Sequence, residues 1–222
     1  MDVAEVFDDW AARGRADGME QGHLQTAGAA LAALQLGPGR RFLDVGTGNG
    51  WAVRHARRHG AEAVGIDVSP GMLREAARRA IPVARADAAA LPFPDAAFDA
   101  AWSMEALYYA PDPDTVLREV HRVLRPRGTF DLVIDHYAEN PASHAWGPGM
   151  GLDLVLRSER EWSDALQDAG FRDVRATRLR ADGPGVETWK REQGTLWIRG
   201  HAGPPGTPRN PGRQPETAKN RP

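Results

Sequence analysis

The succession of apolar and amphipathic stretches predicts an α/β fold, a mostly parallel sheet with helices on both faces, and three observations carry that prediction. Short apolar runs alternate with segments of helical period between residues 41 and 134. The first run, Arg41-Phe42-Leu43-Asp44-Val45, breaks into the glycine turn Gly46-Thr47-Gly48-Asn49-Gly50 before a helix opens at Trp51. An acid stands at or near the end of each of the first three runs: Asp44, Asp67 and Asp87.

Composition narrows the partners. The 222 residues carry 28 Lys and Arg against 30 Asp and Glu, a formal charge of -2, so no global field draws the chain to nucleic acid or to an acidic membrane. A small molecule is the expected partner. With no cysteine in the sequence, disulfides, thiolate metal sites and thiol nucleophiles are excluded. The acidic start Met1-Asp2-Val3-Ala4-Glu5 does not read as a secretory signal and no apolar run is long enough to span a bilayer, so a cytoplasmic protein is expected.

From the N-terminus, Val3, Val6, Phe7 and Trp10 recur at helical spacing and predict an amphipathic helix from Asp2 to about Arg13. A second helix is expected over Leu24 to Leu36. The glycine-containing stretch 14–23 between them suits a loop, and residues 1–36 read either as a lid over a ligand or as a helical cap on the sheet edge. The domain proper is expected over 37–200, starting at Gly37-Pro38-Gly39 and the organising strand. In the helix that follows, Ala52, Val53 and Ala56 face inward, while His55 and His59 lie on a solvated face without a third ligand, so no metal site is expected. Ala63 to Ile66 forms the second strand, closed by Asp67, with Ser69 as cap and Pro70 as the first helical residue. Ile81 to Ala86 and Phe98 to Ser103 are the third and fourth strands. Asp112-Pro113 starts a helix with Val116, Leu117, Val120, Val123 and Leu124 on one face and His121 off it in solvent, ending at Arg125-Pro126-Arg127-Gly128. Thr129 to Ile134 is the fifth strand.

Residues 135–156 lose any clear period and read either as the wall of a substrate pocket or as a structural loop. Ser158 and Glu161 form a capping box before a helix ended by Gly170, and 174–179 with 194–199 predict a terminal pair of strands. Residues 201–222, rich in proline, glycine and charge, are expected to be a disordered tail.

The turn reads D-x-G-x-G-x-G, and the position of the third glycine in a dinucleotide-binding G-x-G-x-x-G turn holds Trp51. Taken with Asp67, with Asp87 followed by Leu91-Pro92-Phe93, and with Leu124-Arg125-Pro126-Arg127-Gly128, the pattern resembles the class I S-adenosylmethionine-dependent methyltransferases, in the branch of the ubiquinone-biosynthesis and type 11 enzymes. The resemblance implies a Rossmann-like, seven-stranded, mostly parallel sheet closed by an antiparallel C-terminal hairpin. It implies S-adenosyl-L-methionine as cofactor and methyl transfer to a small-molecule acceptor by in-line displacement, in a monomer or homodimer. The cofactor residues it implies are Asp44, Gly46, Thr47, Gly48, Gly50, Asp67, Val68, Met72, Asp87, Ala88 and Ser103, with Trp10 placed as an aromatic face for the sulfonium. Glu105, His136 and His144 are candidates for a catalytic base, the histidines favoured because imidazole titrates near neutrality, and Tyr108, Tyr109, Tyr137 and Trp146 for substrate contacts. A non-catalytic module that binds the same cofactor keeps every one of these motifs. A nicotinamide-dependent oxidoreductase would want glycine at Trp51 and a Tyr-x-x-x-Lys pair that the sequence lacks.

Overall fold

The computed structural model describes residues 2–204. Its helices are α1 (Val3–Ala12), α2 (Ala16–His23), α3 (Ala27–Ala32), α4 (Trp51–Arg58), α5 (Pro70–Arg78), α6 (Pro113–Val123), α7 (Trp146–Met150), α8 (Glu159–Asp168) and α9 (Thr188–Glu192). The strands are β1 (Arg41–Val45), β2 (Glu62–Asp67), β3 (Val83–Arg85), β4 (Phe98–Met104), β5 (Leu124–Ile134), β6 (Phe171–Leu179) and β7 (Thr195–Ala202). They form one seven-stranded sheet in the order β3-β2-β1-β4-β5-β7-β6.

The first five strands are parallel, and β7 runs antiparallel between β5 and β6. Such a sheet is covered on both faces, which is why β1 is apolar at successive positions instead of alternating. Leu43 and Val45 pack into one buried layer with α6 and α8, whereas Phe42 joins Trp102 and Val133 in the layer under α3 and α4. A charge inside the sheet is matched across strands. Asp131, fully buried on β5, receives both Nε and Nη2 of Arg199, its register partner on β7, at 2.7 and 2.6 Å.

Capping residues set the helix starts that matter for the site. Asp2 and Glu5 form a capping box on α1, Ser69 accepts the Met72 N–H at the head of α5, and Asp112 caps α6. Strand order reverses beside β1, where β2 leaves on one side and β4 on the other. In open α/β sheets that switch point is where ligands sit, beyond the carboxyl ends of the strands.

Several expectations are corrected. Residues 16–23 are helix α2, not a loop, and the helix expected over Leu24 to Leu36 is helical only across α3. Gly18 and Gly22 weaken the helical signal, but contacts from elsewhere hold the segment: Asn49 Nδ2 donates to Ala16 O, Arg54 pairs with Glu20 and Arg79 with Asp17. Helix α6 stops at Val123, and Leu124 already belongs to β5. The ladder with β4 then shifts register between Phe98 and Ala100, leaving Arg125–Gly128 as a bulge with Arg127 at φ 67°. His121 is half-buried rather than solvated, with its ring edge-on to Phe171 at 5.3 Å, because β6 and the Gly170 turn fold over that side of α6. Strand β7 runs through His201 and Ala202, into the stretch expected as tail; residues 205–222 lie outside the described residues. Among the described residues no helix is long and apolar enough to cross a membrane.

Candidate active site

The chain leaves β1 through a turn that only glycine allows at its first position. Gly46 has φ +74°, and a Cβ there would collide with the Ala106 side chain on the segment after β4. The turn therefore lies close against the β4 exit and leaves a hollow above. Gly48 donates its N–H to Asp67 Oδ2 at 2.8 Å, and Ser69 donates its N–H to Asp67 Oδ1 at 2.9 Å, so the acid at the end of β2 ties the two neighbouring turns together. Thr47 donates its hydroxyl to Asp44 Oδ2 at 2.6 Å. Burial pushes the Asp44 carboxyl up to about 7, against the opposing hydrogen bond from Thr47, with the charge of Asp67 adding to the rise. The Asp67 carboxyl is likewise raised, mainly by burial and against its backbone donors.

These groups open onto a cavity of about 840 Å³. Its floor is the C-terminal edge of β1, β2 and β4, and its cover is the N-terminal segment: Asp2, Val3, Ala4 and Phe7 of the α1 turn and Ala16 and Glu20 of α2. Helix α1 is pinned there by Asp8, whose Oδ1 accepts the Ser69 hydroxyl and the Gly71 N–H, both at 2.6 Å, at the head of α5. A glycine at 71 is required for this approach, since a Cβ would meet the Asp8 main chain. The Ser69 hydroxyl, helped by the Gly71 N–H and the charges of Arg74 and Arg85, draws the Asp8 carboxyl below its ordinary range against the opposing effect of burial. Helix α2 is pinned by the Arg54 guanidinium on both oxygens of Glu20 at 2.6 Å.

Eleven of the residues singled out by the sequence line this cavity: Asp44, Gly46, Thr47, Gly48, Asp67, Val68, Met72, Asp87, Ala88, Glu105 and Tyr109. Asp87 stands at the rim, where its Oδ1 accepts the Ala89 N–H at 2.8 Å. The others are placed elsewhere. Gly50 caps α4 against Ile81, behind the turn. Ser103 is buried between strands, donating to Val45 O at 2.9 Å. Trp10 points to an outer groove under Arg15, and its helix neighbour Phe7 enters the cavity instead, edge-on to Tyr109 at 5.0 Å. Tyr108 lies in the wall beneath and donates its hydroxyl to Glu105 Oε2 at 2.6 Å. Tyr137 is buried, donating to Gly194 O, and Trp146 packs edge-on against Trp189. His136 is buried with Nδ1 3.1 Å from Ser143 O and burial holding its pKa low; His144 is exposed and meets Ala138 O. Segment 135–156 thus packs behind the site, and neither histidine reaches the cavity.

Of the three base candidates only Glu105 lines it. Its backbone sits at φ 52°, a left-handed conformation that aims the carboxylate between β4 and β5, where it accepts the Asp135 N–H as well as the Tyr108 hydroxyl. Burial and the neighbouring Asp135 push its carboxyl up to about 7. Two groups that sequence reasoning missed matter here. Phe7 was legible only as one apolar position of α1, and His23, on α2, gave no signal at all, because its partner Asp135 lies 112 residues away.

The lining suits a ligand rich in hydroxyls and amines. Three acids on successive strand ends, with backbone N–H groups among them, form acceptor-rich subsites for hydroxyls and amines, while the remaining cavity wall is largely apolar. Comparisons with known proteins bear on the family. A family model described as a methyltransferase domain matches residues 43–132. A chain in the complex between the Haloferax volcanii Trm112 methyltransferase activator and a methyltransferase superposes with a TM-score of 0.82 at 35% identity, covering 89% of this chain and 98% of that one. The O-methyltransferase resE of Aspergillus sclerotiorum is 35% identical over 161 residues, 67% of this chain and 61% of that protein. The 27-O-demethylrifamycin SV methyltransferase of Amycolatopsis mediterranei is 40% identical over 108 residues, 45% and 40% respectively. The chain thus spans between two and three fifths of these two curated relatives.

Sheet order, glycine turn and strand-end acids define a nucleoside-binding α/β domain of methyltransferase type. The chain belongs to the class I S-adenosylmethionine-dependent methyltransferases, whose cofactor is S-adenosyl-L-methionine.

Proposed function

We propose that the chain transfers a methyl group from S-adenosylmethionine to a hydroxyl or amine of a small-molecule acceptor, with Glu105 as the base. The observation that carries this reading is a single cavity whose lining brings Asp44, Asp67 and Asp87 together with Glu105, Phe7 and Tyr109. In it Asp67 takes the ribose hydroxyls, since its two oxygens lie in one plane and keep lone pairs beyond those used by Gly48 and Ser69. Asp87 and the Ala88 N–H take the donor and acceptor of the adenine edge. Asp44 and the glycine turn hold the amino-acid end. When bound, the cofactor supplies an electrophilic methyl on a sulfonium. The chain's own contribution is alignment and the exclusion of water by α1 and α2, with Phe7 and Tyr109 offering ring faces to a cation. Glu105 takes up the proton that the acceptor gives up.

Calorimetry with S-adenosylhomocysteine should give micromolar-range binding, and Asp67→Ala should weaken it by about 1.5 to 3 kcal/mol through lost hydrogen bonds to a charged group. Labelled methyl groups should turn over onto a panel of small phenols, alcohols and amines. Absence of binding, or preference for a nicotinamide cofactor, would overturn the reading. Binding with no turnover on any acceptor would favour the non-catalytic module.

A further inference from the structure

Behind Glu105 lies a buried charged cluster drawn from four separate parts of the chain. His23 from α2, Glu105 after β4, Asp135 after β5 and Lys190 from α9 are each no more than 7% exposed. His23 Nε2 lies 2.8 Å from Asp135 Oδ2, and Lys190 Nζ is 3.7 Å from the same oxygen while donating to Gly22 O at 2.6 Å. Asp135 in turn donates its backbone N–H to Glu105 Oε1, and its own Oδ1 has no hydrogen-bond partner among the described residues.

We propose that His23, Asp135 and Lys190 form a positioning network that holds the Glu105 carboxylate as the proton acceptor of the reaction, complete only when α2 is docked on the sheet. It rests on the methyl-transfer reading above and assigns that site three residues beyond those lining the cavity.

Four observations carry it. A buried carboxylate oxygen left without a donor costs folding free energy, which is expected where charge is held for chemistry rather than for stability. The cluster is balanced within itself: two carboxylates face one ammonium and one imidazole. His23, Glu105 and Asp135 have the spacing to hold a metal ion, with ligand atoms within 4.8 Å of one another, but Lys190 already supplies a cation beside Asp135. Finally, both histidine and lysine contacts reach the N-terminal cover: His23 belongs to α2, and Lys190 is bonded to Gly22 of the same helix. When α2 swings away, Asp135 keeps its place at the end of β5 but loses the imidazole, and the field at Glu105 becomes more negative. The base is therefore set by the same movement that closes the cavity.

The charged and titratable groups around Glu105 are Asp135, His23 and Lys190 from the packed elements and Tyr108 and Tyr109 on its own segment. Burial holds the His23 imidazole down, yet the Asp135 hydrogen bond and the charges of Glu105 and Asp135 outweigh it and leave the ring raised, favouring its cationic form. In the reaction, the acceptor's O–H or N–H bond breaks as its methyl bond forms. The proton moves to a Glu105 oxygen, and that neutral carboxyl returns it to solvent when the cavity opens.

The network is tested by carboxyl-labelled glutamate NMR on the full chain, free and with S-adenosylhomocysteine, the Glu105 signal being identified by its loss in Glu105→Gln. We expect a titration midpoint near 7. Removing a cation in His23→Gln should raise the midpoint, and removing an anion in Asp135→Asn should lower it, each by about half a pH unit or more. A midpoint in the ordinary glutamate range, near about 4.3, or variants that leave it unmoved would overturn the network. If Asp135→Asn does not fold, Lys190→Met serves in its place, with a rise as the supporting result and no change as the refuting one. The titration is read without turnover, so a chain that fails to bind S-adenosylhomocysteine defeats the proposed function while the network stands or falls by its own midpoint.

Discussion

Asp44 is a carboxyl in the wrong solvent, and its pH dependence follows. Its folded pKa is about 7, raised by burial from an ordinary value near 3.8. A raised acid binds its proton more tightly in the folded chain, so its contribution to stability is present below the unfolded pKa and is lost as pH climbs through the folded one. Asparagine has no such charge to lose. The melting temperature of Asp44→Asn relative to the parent chain should therefore rise between pH 4 and pH 7 and level off above it. Paired thermal melts across that range check this, and a flat difference would mean that Asp44 is charged at no cost. Asp44, Asp67 and Asp87 were legible in the sequence because each follows directly on an apolar run, a local signal. Glu105 was legible as the residue after such a run. Its partner His23 was not, because a pair separated by 112 residues leaves no trace in spacing. His136 and His144 attracted notice for their chemistry alone, and chemistry says nothing of which way a side chain points.

At the scale of elements, the cover is held by polar anchors and by one small apolar cluster in which Ala11 and Ala16 meet Met72 of α5. Asp8 joins α1 to the head of α5, where its charge also meets the positive end of the helix. Asp8→Ala should lower stability by about 1 kcal/mol, the size of a lost helix cap, since the half-buried group still leaves room for water to replace part of what is removed. It should also speed the release of S-adenosylhomocysteine measurably in stopped-flow, because Val3, Ala4 and Phe7 then lose their anchor over the cavity. Unchanged release would show that α1 is a fixed cap rather than a lid. The sequence left lid and cap open because periodicity reports which face of α1 is buried and not against what. It took residues 14–23 for a loop because glycine disfavours helix locally, while the contacts that override it come from Asn49 in the glycine turn, Arg54 of α4 and Arg79 just past α5.

Across the whole molecule, the succession of strands and helices along the chain was the most legible feature, since each β-to-α unit is short and punctuated by its own cap or turn. Its ligand site belongs to the folded chain only, so ligand and fold are linked. S-adenosylhomocysteine at 100 times its dissociation constant should add about 2.7 kcal/mol to stability, a rise in melting temperature of roughly 5 to 10 °C for a chain of this size. A scanning calorimeter reads it directly, and no shift would mean that the folded chain does not bind the ligand. The strand inserted between β5 and β6 has a consequence in time as well as in space. Among the described residues β6 has no neighbour in the sheet until β7 arrives, and β7 ends at Ala202. A ribosome can have released the entire cofactor cradle, through Glu105, while the far side of the sheet still waits for a slat to be slid into place. Early synthesis thus yields a half-built platform with an open flank, one that a chaperone has reason to shield until the final strand is threaded.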